Sequence, residues 1–226
     1  GAHFGPDAIG GAINFITDVD YTNSYSINGF NLKNNSLDYN TTKITDNGWH
    51  LNFKGATNLS KTDSALAKGN ESDGTKNYQF NLNGVKWISD NYKLKNTFYY
   101  RDTKSDYDKS ASQEESVTSD NKMYALQTSV ERKTSNSLDN VKFHYHNYDR
   151  KYYETGKKNK YYSESLVAKA ERDVIYNNKF SYGFGSEYKY DWGNYQTKTF
   201  SSQTRGHLSN FGIFGNLGYK FNENQI

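Results

Sequence analysis

The chain has 226 residues, a formal net charge of +3, one proline and no cysteine. Its small charge is not gathered into a basic block, which argues against nucleic-acid binding, and the absence of cysteine excludes disulfide frameworks and thiol chemistry. Mean hydropathy is strongly negative, yet aromatics make up 16% of the chain, with 21 Tyr and 13 Phe, whereas disordered sequences are poor in aromatics.

In chain order, residues 1–17 (GAHFGPDAIGGAINFIT) come first. Glycines and a proline among small residues lead into the apolar run Ala12-Ile13-Asn14-Phe15-Ile16-Thr17. On spacing alone this is a glycine turn entering a strand. Alternation at period two then dominates. Trp49, Leu51, Phe53, Gly55, Thr57 and Leu59 face one way, and His50, Asn52, Lys54, Ala56 and Asn58 the other. Val141, Phe143 and Tyr145 alternate with Lys142, His144 and His146. Phe180, Tyr182, Phe184, Tyr188 and Tyr190 form a further stripe, as do Phe211, Ile213, Leu217, Tyr219 and Phe221. Breaking the chain at its turn residues predicts strands at 24–32, 35–44, 48–59, 77–87, 91–102, 122–134, 138–151, 159–174, 177–190 and 207–220. Asn222 to Ile226 read as a turn leading into another strand.

The connections are predicted to alternate in length. Short links fall at Thr45-Asp46-Asn47, Ser89-Asp90, Ser135-Asn136-Ser137 and Asn177-Asn178. Polar loops fall at 60–76, 103–121, 152–158 and 191–206. No apolar run approaches the roughly 20 residues of a membrane-spanning helix. A barrel, however, spans with strands that are apolar on one face only, joined by short turns on one side of the membrane and longer loops on the other. A soluble β-sandwich also shows alternating strands, but its strands cluster near ~5–6 residues. Tyr and Trp gather at the predicted strand ends (Trp49, Trp87, Tyr92, Tyr99, Tyr100, Tyr190, Trp192), as anchors at a membrane interface do. The fold class expected is therefore all-β: a transmembrane antiparallel β-barrel, partial, of about ten strands.

The run Asp7-Ala8-Ile9-Gly10-Gly11-Ala12-Ile13-Asn14-Phe15-Ile16-Thr17 resembles the end of the plug domain in TonB-dependent outer-membrane receptors. There a Gly-Gly turn precedes an apolar strand just before the first barrel strand. The resemblance implies two parts: residues 1–18 as the C-terminal end of a plug, and 19–226 as the N-terminal part of the barrel. It also implies a chain incomplete at both ends, about half of a wall of roughly 22 strands, which alone neither folds stably nor conducts. Within the family the sequence is most similar to the cobalamin receptor branch, in the loop Asn70-Glu71-Ser72-Asp73-Gly74 and in Tyr100-Arg101-Asp102 followed by Asp106-Tyr107-Asp108. By that similarity Asp63, Glu71, Asp73 and Asp102 are candidate Ca²⁺ ligands, and such a hard cation does gather carboxylate oxygens. A solvated acidic loop is the alternative.

The resemblance implies an energy-coupled importer of a scarce nutrient, cobalamin-like or an iron chelate of the siderophore type. Its partners would be TonB, which pulls on the plug, and the lipid of the Gram-negative outer membrane. Lys54, Asn81, Lys95, Gln127, His144, Lys169 and Glu187 would face the lumen and cradle the plug. The alternative is a passive porin or an adhesin-like barrel. His144 and His146 share a strand face at a spacing that can hold a metal, but no acidic or Cys partner is nearby in sequence, and a polar lumen position is the preferred reading. No hydrolase, phosphate-loop or zinc-protease motif is present, so catalysis is not expected.

Overall fold

The computed structural model describes residues 22–29, 34–63, 72–110, 113–154, 157–198 and 201–221. It contains ten strands in one antiparallel sheet whose spatial order is the chain order. They are β1 (Ser24–Gly29), β2 (Asn34–Ile44), β3 (Trp49–Asp63), β4 (Ser72–Ser89), β5 (Tyr92–Ser110), β6 (Gln113–Lys133), β7 (Ser137–Glu154), β8 (Lys157–Ile175), β9 (Phe180–Thr197) and β10 (Ser202–Tyr219). The expected plug segment, residues 1–18, lies outside the described residues.

Short turns join the strands where they were expected. In the β2–β3 turn Gly48 takes φ +80°, a conformation that costs other residues dearly, and its amide donates to the Thr45 carbonyl at 2.9 Å. In the β8–β9 turn the Asn177 side-chain carbonyl accepts from the amides of Lys179 and Phe180, both at 2.9 Å. Asn does this work because its short side chain imitates a backbone carbonyl.

The described parts of the expected long loops are largely strand. Residues 103–121, expected to be a loop, are strand except for the undescribed 111–112, and β5 pairs β6 in continuous register from Tyr92↔Arg132 to Asp108↔Ser116. The segments 152–158 and 191–206 are likewise largely strand, and β3 and β4 extend into 60–76 as far as Asp63 and from Ser72. The physical reason is that these outer stretches carry polar residues on both faces. Hydropathy then shows no alternation, while the backbone ladder, which needs no particular side chains, continues.

Among the described residues the sheet has no second layer. Val117 is the one buried hydrophobic residue among those described, whereas Ile27, Ile213 and Leu217 are each more than 75% exposed. A sandwich would bury its apolar face between two sheets, so this observation removes the soluble alternative. One face carries the apolar stripes; register places Tyr39, Phe53, Phe80, Phe98, Leu126, Tyr145, Leu166 and Tyr190 on it. The opposite face is polar. Of the eight buried polar residues described, seven (Asn40, Asn52, Ser119, Ser129, Asn159, Ser165 and Thr197) lie on that polar face, and Asn147 alone lies on the apolar one. In a single layer, side chains are covered only where neighbours converge, so the polar face is the concave, inner one.

Charged rows bound the apolar stripe on the outer face. Tyr78, Asp102, Lys122, Asp149 and Tyr162 form one row across β4–β8. Arg132, Asp139 and Arg172 form another, near the short turns. The rows are ten residues apart on β6, β7 and β8. At ~3.4 Å per residue that is roughly 34 Å along a strand, and about 26 Å along the membrane normal at a tilt near ~40°, close to the ~25 Å apolar band of outer-membrane barrels. Tyr100 stacks on Tyr124 at 6.3 Å and Tyr162 packs edge-on to Trp192 at 5.4 Å along one border. Near the other, Lys86 lies over the Trp49 ring at 5.8 Å and Arg132 over Tyr92 at 5.8 Å.

Candidate functional site

A sheet that is apolar outside can offer chemistry only on its inner face or at its ends. The inner face begins with a ladder of amides. Asn52, fully buried, donates to the Asn40 carbonyl oxygen at 2.7 Å, accepts from Asn83 at 3.5 Å, and Asn83 in turn accepts from the Thr97 hydroxyl at 2.9 Å. Cross-strand register sets this up, since Thr42, Asn52, Asn83 and Thr97 face one another in a row. Beside it, Asp38, Asn40, Lys54, Gln79, Asn81 and Tyr99 line a concavity of about 420 Å³.

Further along the wall the inner charges are paired with their neighbours. Lys95 meets Glu131 at 3.0 Å, Lys169 meets Glu171 at 2.7 Å and Lys189 meets Asp191 at 3.1 Å. The Lys169 ammonium also lies 5.0 Å from the centre of the Phe214 ring. That ring covers Gly185, where an added Cβ would come within 2.5 Å of it and within 2.6 Å of the Ala170 carbonyl oxygen. Glycine is used here so that an inward aromatic can lie flat on the wall.

All seven residues expected on the lumen face are on the polar face: Lys54 and Asn81, Lys95, Gln127, His144, Lys169 and Glu187. His144 and His146 approach with Nε2 of one 3.3 Å from Nδ1 of the other. No group of three or more His, Cys, Asp and Glu arranged for a metal ion occurs among the described residues. Several buried inner-face atoms have no hydrogen-bond partner: Asn81 Oδ1, Arg101 Nε and His144 Nδ1. Such atoms are costly to leave unsatisfied; these three lie on the inner face, while Asp120 Oδ1 and both amide atoms of Asn147 are likewise unpartnered on the outer one.

The candidate Ca²⁺ ligands are not brought together as a set. Asp102 lies on the outer face, where Lys122 reaches it at 3.2 Å and the Tyr100 hydroxyl at 3.3 Å. Asp73 stands five residues from Tyr78, the register partner of Asp102, so alternation puts it on the opposite face and ~17 Å away along the strand. One ion cannot take both. Asp63 is in β3 with its backbone opposite Ser72, and its side chain, like Glu71, lies outside the described residues. Sequence reasoning missed the amide ladder. Its signal was present in the alternating Asn77, Gln79, Asn81 and Asn83.

No protein-family model and no curated protein matches the chain. Solved structures do. The outer membrane transporter YddB from Escherichia coli superposes with a TM-score of 0.65 at 11% identity, covering 81% of this chain and 31% of that one. The ferric yersiniabactin uptake receptor FyuA from Yersinia pestis gives a TM-score of 0.52 at 10% identity, covering 84% of this chain and 35% of that one. The chain thus spans about a third of the length of the structures it resembles. At such identities the likeness concerns the fold: these ten strands have the architecture of part of the β-barrel wall of an outer-membrane transporter.

Proposed function

We propose that the chain forms part of the barrel of a TonB-dependent receptor in a Gram-negative outer membrane, importing a scarce nutrient, a cobalamin-like compound or an iron chelate. The observation that carries this reading is the two-faced single sheet. It has an apolar outer belt of membrane thickness, and a concave polar wall with the buried Asn81, Arg101 and His144 atoms unpartnered. An open pore would solvate those atoms with water; a polar body seated in the lumen would hydrogen-bond them, and the Gly-Gly segment at 7–17 resembles the end of such a body. The transport logic follows from the membrane, which holds no gradient of its own, so a partner that spans the periplasm must supply the work.

The second reading is a passive porin or an adhesin-like barrel, favoured only by the polar lumen wall, which porins also have. The test is uptake of labelled cobalamin and of labelled ferric chelates by cells producing the intact protein, with and without the coupling protein. Uptake of one of these that disappears without coupling is expected. Uptake indifferent to coupling, or none of either compound, would sink the receptor reading. The cobalamin-like branch adds calcium as a ligand of the long-hairpin end. Chelation is then expected to weaken cobalamin binding, and an unchanged affinity would remove calcium from the proposal.

A further inference from the structure

The outer face is asymmetric in charge. At the short-turn border Lys43 stands alone opposite Leu51, and the other outer-face cations are neutralised or shielded. Arg132 and Arg172 flank Asp139, at 3.6 Å for Arg132 and 2.9 Å for one Arg172 nitrogen, and Lys86 lies over Trp49. Among the described outer-face residues no two cations there stand directly opposite one another. The long-hairpin border begins the same way, with Asp102 bound to Lys122 at 3.2 Å and Asp149 to Lys151 at 3.6 Å. Two residues farther out, register aligns Lys76, Lys104, Asp120, Lys151 and Lys160 in a single row across β4–β8.

In that row lysine faces lysine twice, Lys76↔Lys104 and Lys151↔Lys160. Lys76, Lys104 and Lys160 are exposed, and among the described residues no carboxylate lies within ion-pair distance of them. Like charges directly opposite on neighbouring strands destabilise a sheet, so the arrangement calls for an anion outside the wall. Asp120 between the two pairs, and Asp106 one outer-face position beyond Lys104, keep the positive charge in two patches rather than one. Lys158, over the Tyr153 ring at 5.3 Å, adds to the second patch.

Depth identifies the anion. A step of two residues is ~7 Å along a strand, or about 5 Å along the normal at a tilt near ~40°, which lands in the headgroup layer, roughly 5–8 Å thick on each side of the hydrocarbon. We propose that the opposed lysine pairs Lys76–Lys104 and Lys151–Lys160 bind the phosphate groups of the phosphorylated glycolipid that surrounds the long-hairpin end of the barrel. Each ammonium extends on a flexible stem toward the interface, and a phosphate seated between two of them converts a repulsive pair into a bridged one. This inference rests on the membrane-barrel reading but not on the substrate.

The test uses the intact protein in nanodiscs holding either bis-phosphorylated lipid A or its dephosphorylated form, with retained lipid counted by native mass spectrometry. Membrane seating is checked by quenching of Trp fluorescence with brominated lipid. Retention should require the phosphates, fall by about fivefold per lysine lost in the pairs Lys76→Glu/Lys104→Glu and Lys151→Glu/Lys160→Glu, and weaken with salt. The neutral pair Lys76→Gln/Lys104→Gln gives the same direction without adding charge, should reversal prevent folding. Normal quenching with phosphate-independent retention, or with retention untouched by either set of variants, overturns the lipid site alone. Displacement by excess inorganic phosphate marks a free-anion site and overturns the assignment to lipid. Absence of quenching overturns the membrane reading and this proposal with it.

Discussion

The same ten strands behave as two materials along their length. Between the Arg132–Asp139–Arg172 row and the Asp102–Lys122–Asp149 row, the outer face of β5–β8 is Leu, Phe, Tyr, Val and Ala, interrupted by the hydrogen-bonded Asn96 and Thr128 and by Asn147 and Glu164. Glu164 accepts the hydroxyls of Tyr145, at 3.0 Å, and Tyr162. Beyond the second row, β5 and β6 run on as a hairpin with Lys104, Asp106, Thr118 and Asp120 on the outer face and Thr103, Ser105, Ser119 and Asn121 on the inner one. Backbone pairing is common to both zones; the outer face alone differs. The comparison teaches that the ladder supplies the architecture, and the solvent that each zone meets selects its side chains.

The comparison breaks most readily by putting a charge on the outer face at mid-belt. Leu126→Arg is expected to cost about 2–4 kcal/mol in bilayer unfolding titrations, the penalty for arginine at the midplane of a barrel. Thr118→Arg, in the hairpin zone and facing Asp106 at 2.8 Å in the native protein, is expected to cost less than ~1 kcal/mol. Equal costs at the two sites would mean that the ten-residue belt is not the lipid-facing zone.

A smaller effect is expected from paired glycine substitutions. Gly185→Ala at belt height would force Phe214 and the Ala170 carbonyl apart, an overpacking cost of about 1–3 kcal/mol. Gly206→Ala, at the belt's outer edge with nothing within 4 Å of the added carbon, should be nearly neutral. Thermal melts of the two variants in one detergent make the comparison direct, and a neutral Gly185→Ala would show that Phe214 does not pack on the wall.

The smallest effect belongs to the belt's lower border. Asp139→Asn removes the anion shared by Arg132 and Arg172. Because all three are partly exposed, the loss should stay below ~1 kcal/mol and shrink with added salt. A larger, salt-independent loss would place that border inside the hydrocarbon and the belt lower on the wall than drawn here.

The fold was legible where one face met lipid and the other did not. The Trp49–Leu59 and Phe180–Tyr190 stripes predicted both strand and face, and the seven expected lumen residues are on the inner wall. The hairpin zone was illegible because both of its faces are polar, so Thr103 to Asn121 read as loop. The candidate site fared less evenly. Asp73 and Asp102 were grouped by the family resemblance, but Asp73 proved to lie in a strand paired with that of Asp102, and parity sends the two carboxylates to opposite faces.

By itself, the sequence determined the alternation, the short turns at Thr45–Gly48 and Tyr176–Lys179, and hence an antiparallel sheet with one apolar face. These are local consequences of side-chain period and turn chemistry. Tertiary structure alone decided how far each strand runs, which residues share a cross-strand row, and therefore where charge is paired and where it is left facing its like. Register couples residues up to forty positions apart in the chain, and no local pattern carries such a distance. The transmembrane barrel that alternation suggested thus keeps its apolar belt, and gains from register a span of ten residues between its borders and a charged outer border.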